Sequence, residues 1–231
     1  MQRRDFIGAC AALAAPPLFA AADAKPRFYS RTRLVDARDR PLKPSQLAIG
    51  TNYVFHYPFA GTPCFLLNLG KATPRNIALK TESGGDYVWP GGVGPNRAIV
   101  AYSAICSHRL TYPTRQISFI SFREQAGAGR IAQRNMIHCC SEHSEYDPAS
   151  GARVMGGPAP QPLSAIALEH EAATDALYAI GTLGGELFNA FFEKYEMRLT
   201  LDYGSGRAKE RIANTSVVSE LTNYCRQQVR C

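Results

Sequence analysis

The sequence predicts an all-β fold made of many short strands. Its 231 residues include 15 prolines and 19 glycines, and short apolar runs lie between them, which is typical of strands joined by tight turns rather than of a helical bundle. A chain of this length can bury one good core, with or without an appended subdomain. We therefore expect a single β-rich unit.

Alternating apolar and polar residues predict the first strands. A turn at 60–63 is predicted to join two of them as a hairpin, and the glycine-rich stretch 81–96, which carries Trp89, is predicted to be a loop. The predicted strands of this half are 34–35, 47–50, 53–57 and 64–69.

The second half of the β-rich region continues the pattern. The segments 166–169 and 176–181 are predicted to form a hairpin that closes the sheet, and 125–133 is predicted to be an exposed excursion. Further strands are predicted at 98–102, 117–122 and 135–139.

The pattern changes after residue 185, where apolar residues recur at helical spacing in 187–195 and again in 217–225. We expect 186–231 to be a partly helical C-terminal extension. Such helices most often cover an exposed sheet edge or face. Docking of the extension to a larger subunit is the alternative.

Residues 1–24 have the features of an export signal. Arg3-Arg4 precedes a weakly hydrophobic, alanine-rich stretch that contains Pro16-Pro17 and ends in small residues. This predicts a twin-arginine signal, cleaved near Ala24, and hence a periplasmic protein. A retained membrane anchor is the alternative, because the uncharged stretch is only slightly shorter than a bilayer span.

The chain is basic, with 26 lysines and arginines against 19 acidic residues and a net charge of +7. A basic surface favours an acidic partner protein or an anionic membrane face, although ordinary solubility explains the charge equally well. No basic run is interleaved with aromatic residues, so nucleic acid is not expected as a partner.

The candidate site is a split quartet, Cys106-Ser107-His108 followed by Cys140-Ser141-Glu142-His143. Two thiolates and two imidazoles in this order are the ligand pattern of a [2Fe–2S] centre in which cysteines hold one iron and histidines the other. A structural zinc site takes the same residue types. Zinc is disfavoured, since C-x-H is tighter than its usual ligand spacing.

Residues 98–163 resemble the cluster-binding part of the Rieske family. The quartet, the segment Tyr146-Asp147-Pro148 and the proline loop Gly157-Pro158-Ala159-Pro160 carry the resemblance. It implies stacked antiparallel sheets over 25–185, with one [2Fe–2S] cluster at the tip of two loops and the proline loop over it. By this resemblance Cys106 and Cys140 bind one iron, and His108 and His143 bind the other.

The sequence departs from Rieske proteins of cytochrome bc complexes at several positions. Those proteins brace the two loops with an extra disulfide, and this chain has Thr111 and Glu142 at the corresponding places. They also place a serine two residues and a tyrosine four residues after the second histidine, whereas Ser144 and Tyr146 follow His143 by one and three. Tyr146 is predicted to keep a role in tuning the cluster, and capping of a turn is the alternative.

The remaining cysteines are predicted to be non-ligands. Strand alternation predicts that Cys139 points to the other face of its strand, away from the cluster. An exported protein favours disulfides, and four cysteines allow two of them in one of three pairings, of which Cys225–Cys231 is preferred. The four are Cys64, Cys139, Cys225 and Cys231.

The resemblance implies an electron-transfer protein that passes electrons between a quinol or membrane cytochrome and a periplasmic acceptor. The expected redox partner is a cytochrome b, a cytochrome c or a large oxidoreductase subunit. One alternative is the small Rieske subunit of a periplasmic oxidoreductase, such as an arsenite oxidase type molybdenum enzyme. Another is a structural or assembly role. No catalytic residue is predicted, because the sequence indicates no substrate pocket.

Overall fold

The computed structural model describes residues 24–125 and 134–231. The predicted export signal, apart from Ala24, and almost all of the predicted excursion at 125–133 lie outside the described residues. In the described part the chain is mostly β, with antiparallel sheets and few helices, which confirms the predicted fold class. The strands are β1 (Arg27–Val35), β2 (Tyr53–His56), β3 (Pro63–Asn68), β4 (Ile77–Lys80), β5 (Asp86–Trp89), β6 (Ile99–Ser103), β7 (Ile117–Ser118), β8 (Ile120–Arg123), β9 (Met136–Cys139), β10 (Ser144–Asp147), β11 (Arg153–Gly156), β12 (Ala165–Glu171), β13 (Ala176–Leu183), β14 (Thr215–Val217), β15 (Ser219–Glu220) and β16 (Gln227–Gln228), and the helices are α1 (Phe188–Lys194), α2 (Glu196–Tyr203) and α3 (Leu221–Tyr224).

The larger sheet has eight strands in the order β14-β1-β13-β12-β6-β3-β2-β15. Its two outermost strands, β14 and β15, are consecutive in the chain and are separated only by Val218, whose N–H donates to Val35 O at 2.8 Å. One short segment therefore pairs with both edges, and the sheet is nearly closed. Edge strands that are paired in this way no longer expose free backbone groups.

A second sheet, of four strands in the order β11-β10-β9-β8, lies beside the first. Smaller ladders join β4 to β5 and β7 to β16. The four-stranded sheet carries the second half of the sequence quartet at the turn between β9 and β10. The last strand of the chain, β16, reaches back to β7, which precedes that sheet.

Both predicted hairpins are confirmed: β2 pairs with β3, and β12 pairs with β13. The prediction of a loop over 81–96 is wrong in part, because β5 pairs with β4 and buries Tyr87 and Trp89 on one face. The prediction of helices in the C-terminal extension is correct for α1 and wrong for most of 217–225. There the chain forms β14, β15 and a single helical turn, since both sheet edges offer it backbone partners.

The candidate site lies in the largest core cluster of the described residues. Cys106, Cys139 and Tyr146 belong to this cluster together with Phe65 and Trp89. A separate aromatic cluster, built mainly from α1 and α2, packs on Ile105 directly before the first cysteine. The C-terminal extension therefore supports the first loop from outside the sheet.

Within the two described ranges, no helix has the length and apolar character needed to cross a membrane.

Candidate metal centre

The first loop follows β6 and is closed by its own backbone. Cys106 N–H donates to Thr111 O at 2.8 Å, and Leu110 N–H donates to Cys106 O at 2.9 Å. These bonds fold the chain back around the cysteine, and the N–H groups of His108 and Arg109 donate to its sulfur. The Cys106 side chain is buried.

The second loop is the turn between β9 and β10, whose ends are fixed by the pairing of Cys139 with Ser144. Cys139 ends the strand on its buried side, and the N–H groups of Ser141 and Glu142 donate to its sulfur. Each loop therefore wraps backbone donors around one buried cysteine, in the arrangement that stabilises a thiolate.

The thiols of Cys106 and Cys139 lie side by side and share a hydrogen bond. The Cys139 thiol lowers the pKa of Cys106, with further help from the Tyr146 hydroxyl, and the same shared bond raises the pKa of Cys139. The sequence-based prediction that Cys139 points away from the site is wrong. Alternation does separate Cys139 from Cys140, but it is Cys139 that faces the first loop.

Cys140 is bonded to Cys231 in a disulfide. This arrangement differs from the predicted role of Cys140 as an iron ligand, because a disulfide sulfur is not a free thiolate. It also corrects the predicted Cys225–Cys231 pairing and the expectation of two disulfides. In the described ranges Cys64, Cys106, Cys139 and Cys225 are free and buried.

The two predicted histidine ligands differ in their surroundings. His108 is half-buried, and its Nδ1 atom is buried without a hydrogen-bond partner among the described residues. His143 is exposed at the second loop and has a positive φ of 58°. A buried imidazole nitrogen without a partner is costly in a folded protein, and binding of a metal at that atom would remove the cost.

Tyr146 lies under the first loop and contacts it through its hydroxyl. The oxygen is 3.2 Å from Cys106 Sγ, and it accepts from Ser107 N–H at 3.2 Å. Ser107 Oγ donates to Gln161 O at 2.7 Å and lies 3.1 Å from the same tyrosine oxygen, so Cys106 Sγ and Ser107 Oγ are the two acceptors within reach of the tyrosine proton. The contact that the predicted tuning role requires is therefore present.

Ser144 and Tyr146 follow Glu142, not His143, by the two and four residues at which the Rieske resemblance places its serine and tyrosine. Cys139 in turn precedes Glu142 by three residues, as in C-x-x-H. Counted from Tyr146, this spacing therefore places the second cysteine at Cys139 and not at Cys140. Glu142 stands where this spacing places a histidine, so the sequence contains two competing counts.

The proline loop packs against the second loop, as the resemblance implies. Gly157 has a positive φ of 79°, and a Cβ atom placed on it would lie 2.2 Å from His143 O and 2.6 Å from Ser144 Cα. Only glycine permits this approach. The bond from Ser107 to Gln161 O joins the end of the proline loop to the first loop as well.

The residues fit a [2Fe–2S] cluster in their chemistry. Two buried thiols meet between the loops, His108 Nδ1 lacks a partner, and Ser144 Oγ is also buried without a hydrogen-bond partner among the described residues. In the described ranges no three or more histidine, cysteine or acidic side chains are already arranged to hold a metal ion. The thiol pair is the part of the predicted set that the fold itself brings together.

No protein-family model matches the chain. Among solved structures, the chain is similar to the soluble domain of the Rieske protein II from Sulfolobus acidocaldarius, with 28% sequence identity over 67% of this chain and 78% of that chain and a TM-score of 0.47. The assignment of the site rests on the contacts described above.

Proposed function

We propose that the protein is a Rieske-type [2Fe–2S] electron-transfer protein. The observation that carries the proposal is the pair of buried thiols, Cys106 and Cys139, which two separate loops bring into hydrogen-bonding contact. His108 and His143 are proposed as the ligands of the second iron. With these ligands the cluster accepts and donates one electron at a time, at a potential of roughly −150 to +300 mV.

The residues around the thiols support this function by holding the site rigid and by placing donors on it. Backbone N–H groups of both loops point at the two sulfurs, and Tyr146 adds a hydroxyl. Donors directed at sulfur favour the more negative, reduced state. Because His143 is exposed, it is the proposed point at which a partner protein approaches.

Elemental analysis of the purified full chain tests this proposal. Iron and acid-labile sulfide in equal amounts, with two irons per chain, are expected from a [2Fe–2S] centre. Zinc in place of iron would contradict the proposal. Iron-free protein with a Cys106–Cys139 disulfide would also contradict it, and would indicate a dithiol site instead.

Export by the twin-arginine route and a periplasmic location are part of the same proposal. The Cys140–Cys231 disulfide supports it, because disulfides persist in oxidising compartments. Replacement of both arginines, Arg3→Lys with Arg4→Lys, is expected to trap the protein inside the cell. Unchanged recovery of this variant from the periplasm would contradict the export route, and recovery only in detergent would indicate a retained anchor.

The proposed partners are a membrane cytochrome or quinol on one side and a periplasmic acceptor on the other, with a large oxidoreductase subunit as the alternative. The net charge of +7 supports an acidic partner surface. Co-purification from native membranes and periplasm separates these partners. A cytochrome b would support the first role, and a large molybdopterin subunit would support the second.

A further inference from the structure

We propose that the two adjacent cysteines of the second loop have opposite tasks: Cys139 is the iron-binding thiolate, and Cys140 anchors the C-terminal tail, residues 226–231, as a brace for the site. This inference rests on the proposed function and names the ligands and the support of that same site.

The side chains of Cys139 and Cys140 point in opposite directions. Cys139 pairs across β9 and β10 with Ser144, and its side chain joins the core cluster that contains Cys106 and Tyr146. Successive residues at the end of a strand point to opposite faces. Cys140 therefore points out of this cluster, and its sulfur meets Cys231.

The two sulfurs also differ in their environment. The Cys139 sulfur accepts backbone N–H groups from Ser141 and Glu142 and lies against the Cys106 thiol. The Cys140 sulfur is covalently occupied, and the Arg123 guanidinium donates to it at 3.0 Å. Only the Cys139 sulfur is both free and directed at the first loop.

The C-terminal tail contacts both the segment that follows the first loop and the second loop. Arg226 N–H donates to Arg115 O at 3.1 Å, and Val229 N–H donates to Ser118 O at 2.8 Å, on either side of the β16–β7 ladder. The segment 115–118 follows the first loop directly. The tail is thus hydrogen-bonded to the segment that follows the first loop, and its last residue is joined by a disulfide to the second loop.

Arg123 completes the attachment of the tail. Its guanidinium donates to Cys231 O at 3.0 Å and to Val229 O at 2.5 Å, besides its bond to the Cys140 sulfur. With Cys139 as the ligand, Thr111 and Ser141 occupy the positions at which an extra cysteine pair would brace the two loops. The disulfide to Cys231 supplies a covalent link of the second loop to the end of the chain instead.

The test compares Cys139→Ser, Cys140→Ser and Cys231→Ser in the full chain, with Cys64→Ser as the matched control, since Cys64 is free and buried in a different core cluster. The measurements are bound iron, the rate of iron release to a chelator, and disulfide mapping by mass spectrometry without reduction. Wild-type protein is expected to yield a peptide joined through Cys140 and Cys231.

Loss of iron is expected for Cys139→Ser alone. Cys140→Ser and Cys231→Ser should bind iron and release it about 10-fold faster than wild type, the usual cost of losing support around a metal ligand. The control should match wild type in both measurements. Full iron in Cys139→Ser together with loss of iron in Cys140→Ser would overturn the assignment.

A second variant covers the case in which Cys139→Ser does not fold. In Cys140→Ser with Cys231→Ser, Cys139 is the one thiol left in the second loop, so retention of iron supports its role and loss of iron overturns it. Wild-type protein without iron would overturn the ligand role of Cys139 along with the proposed function. Detection of the Cys140–Cys231 bond in that same protein would still support the anchor, and its absence would overturn it.

Discussion

Replacement of Tyr146 by phenylalanine separates the electronic role of its hydroxyl from its structural role. The hydroxyl is fully buried, lies 3.2 Å from Cys106 Sγ and accepts the Ser107 N–H. Tyr146→Phe removes these two contacts and a third, with Ser107 Oγ at 3.1 Å, and keeps the ring. The variant therefore leaves one sulfur without its side-chain donor and one buried N–H without an acceptor.

The lost Ser107 contact should change the free energy of unfolding, and the lost Cys106 contact should change the reduction potential, so the two effects are measured separately. The unsatisfied Ser107 N–H is expected to lower the free energy of unfolding by about 1–3 kcal/mol. A hydrogen bond that favours the reduced site by about 1–1.5 kcal/mol corresponds to about 40–65 mV in a one-electron couple. Because the donor stabilises the more negative state, its removal should lower the potential by this amount in a redox titration.

Tyr102→Phe is the matched control. The Tyr102 hydroxyl is also fully buried, but it donates to Pro148 O at 2.7 Å and makes no contact with a thiol. This variant should lose stability without a change in potential. An unchanged potential in Tyr146→Phe, or an equal shift in both variants, would refute the argument.

Three further predictions follow from the loops and the core. Gly157→Ala should speed iron release to a chelator, because the added Cβ would meet His143 O. Gly84→Ala is the control and should leave the release rate unchanged, since Gly84 has a similar φ of 86° and nothing within 4 Å of the added Cβ. Equal effects of the two variants would contradict the role of the close approach at Gly157. His143→Ala should lose the cluster and Glu142→Ala should keep it, as measured by bound iron, and the reverse result would show that the carboxylate is the ligand. Burial lowers the pKa of His56 from 6.5 to about 4, so between these pH values the unfolded state binds a proton that the folded state does not. The free energy of unfolding should therefore fall by up to about 3 kcal/mol as the pH drops from 6.5 to 4. A denaturation series in which His56→Gln keeps the full pH dependence would contradict this.

The sheet and most of its hairpins could be predicted from the sequence, because alternation and turn residues are local signals. The strands β4, β10 and β11 were not predicted, and the strand predicted at 47–50 does not form. Two other segments show the physical reasons for such errors. The run 86–89 alternates buried and exposed residues, but glycines on both sides concealed a short strand. The run 217–225 has helical spacing of apolar residues, yet only 221–224 is helical, whereas 217–220 belongs to β14, β15 and the single residue between them. The reason is that both edges of the large sheet offer this segment backbone hydrogen bonds.

The two cysteine-bearing loops could be predicted from the sequence, but the bonding partner of Cys140 could not. C-x-x-H selects Cys140 by counting back from His143, and counting from Tyr146 selects Cys139. The local spacing of residues is therefore compatible with either cysteine as the iron ligand. The choice depends on a contact of Cys140 with Cys231, 91 residues away in the chain, and no local pattern reports a contact of that kind.

The central claim is that the paired loops hold a mixed cysteine and histidine [2Fe–2S] centre, and a redox titration of the wild-type protein, followed by the optical and EPR signals of the bound iron, tests it most directly. We predict a reversible one-electron couple between roughly −150 and +300 mV. A couple near −400 mV, the value of plant-type ferredoxins with four cysteine ligands, or protein without any iron-based couple, would contradict the account.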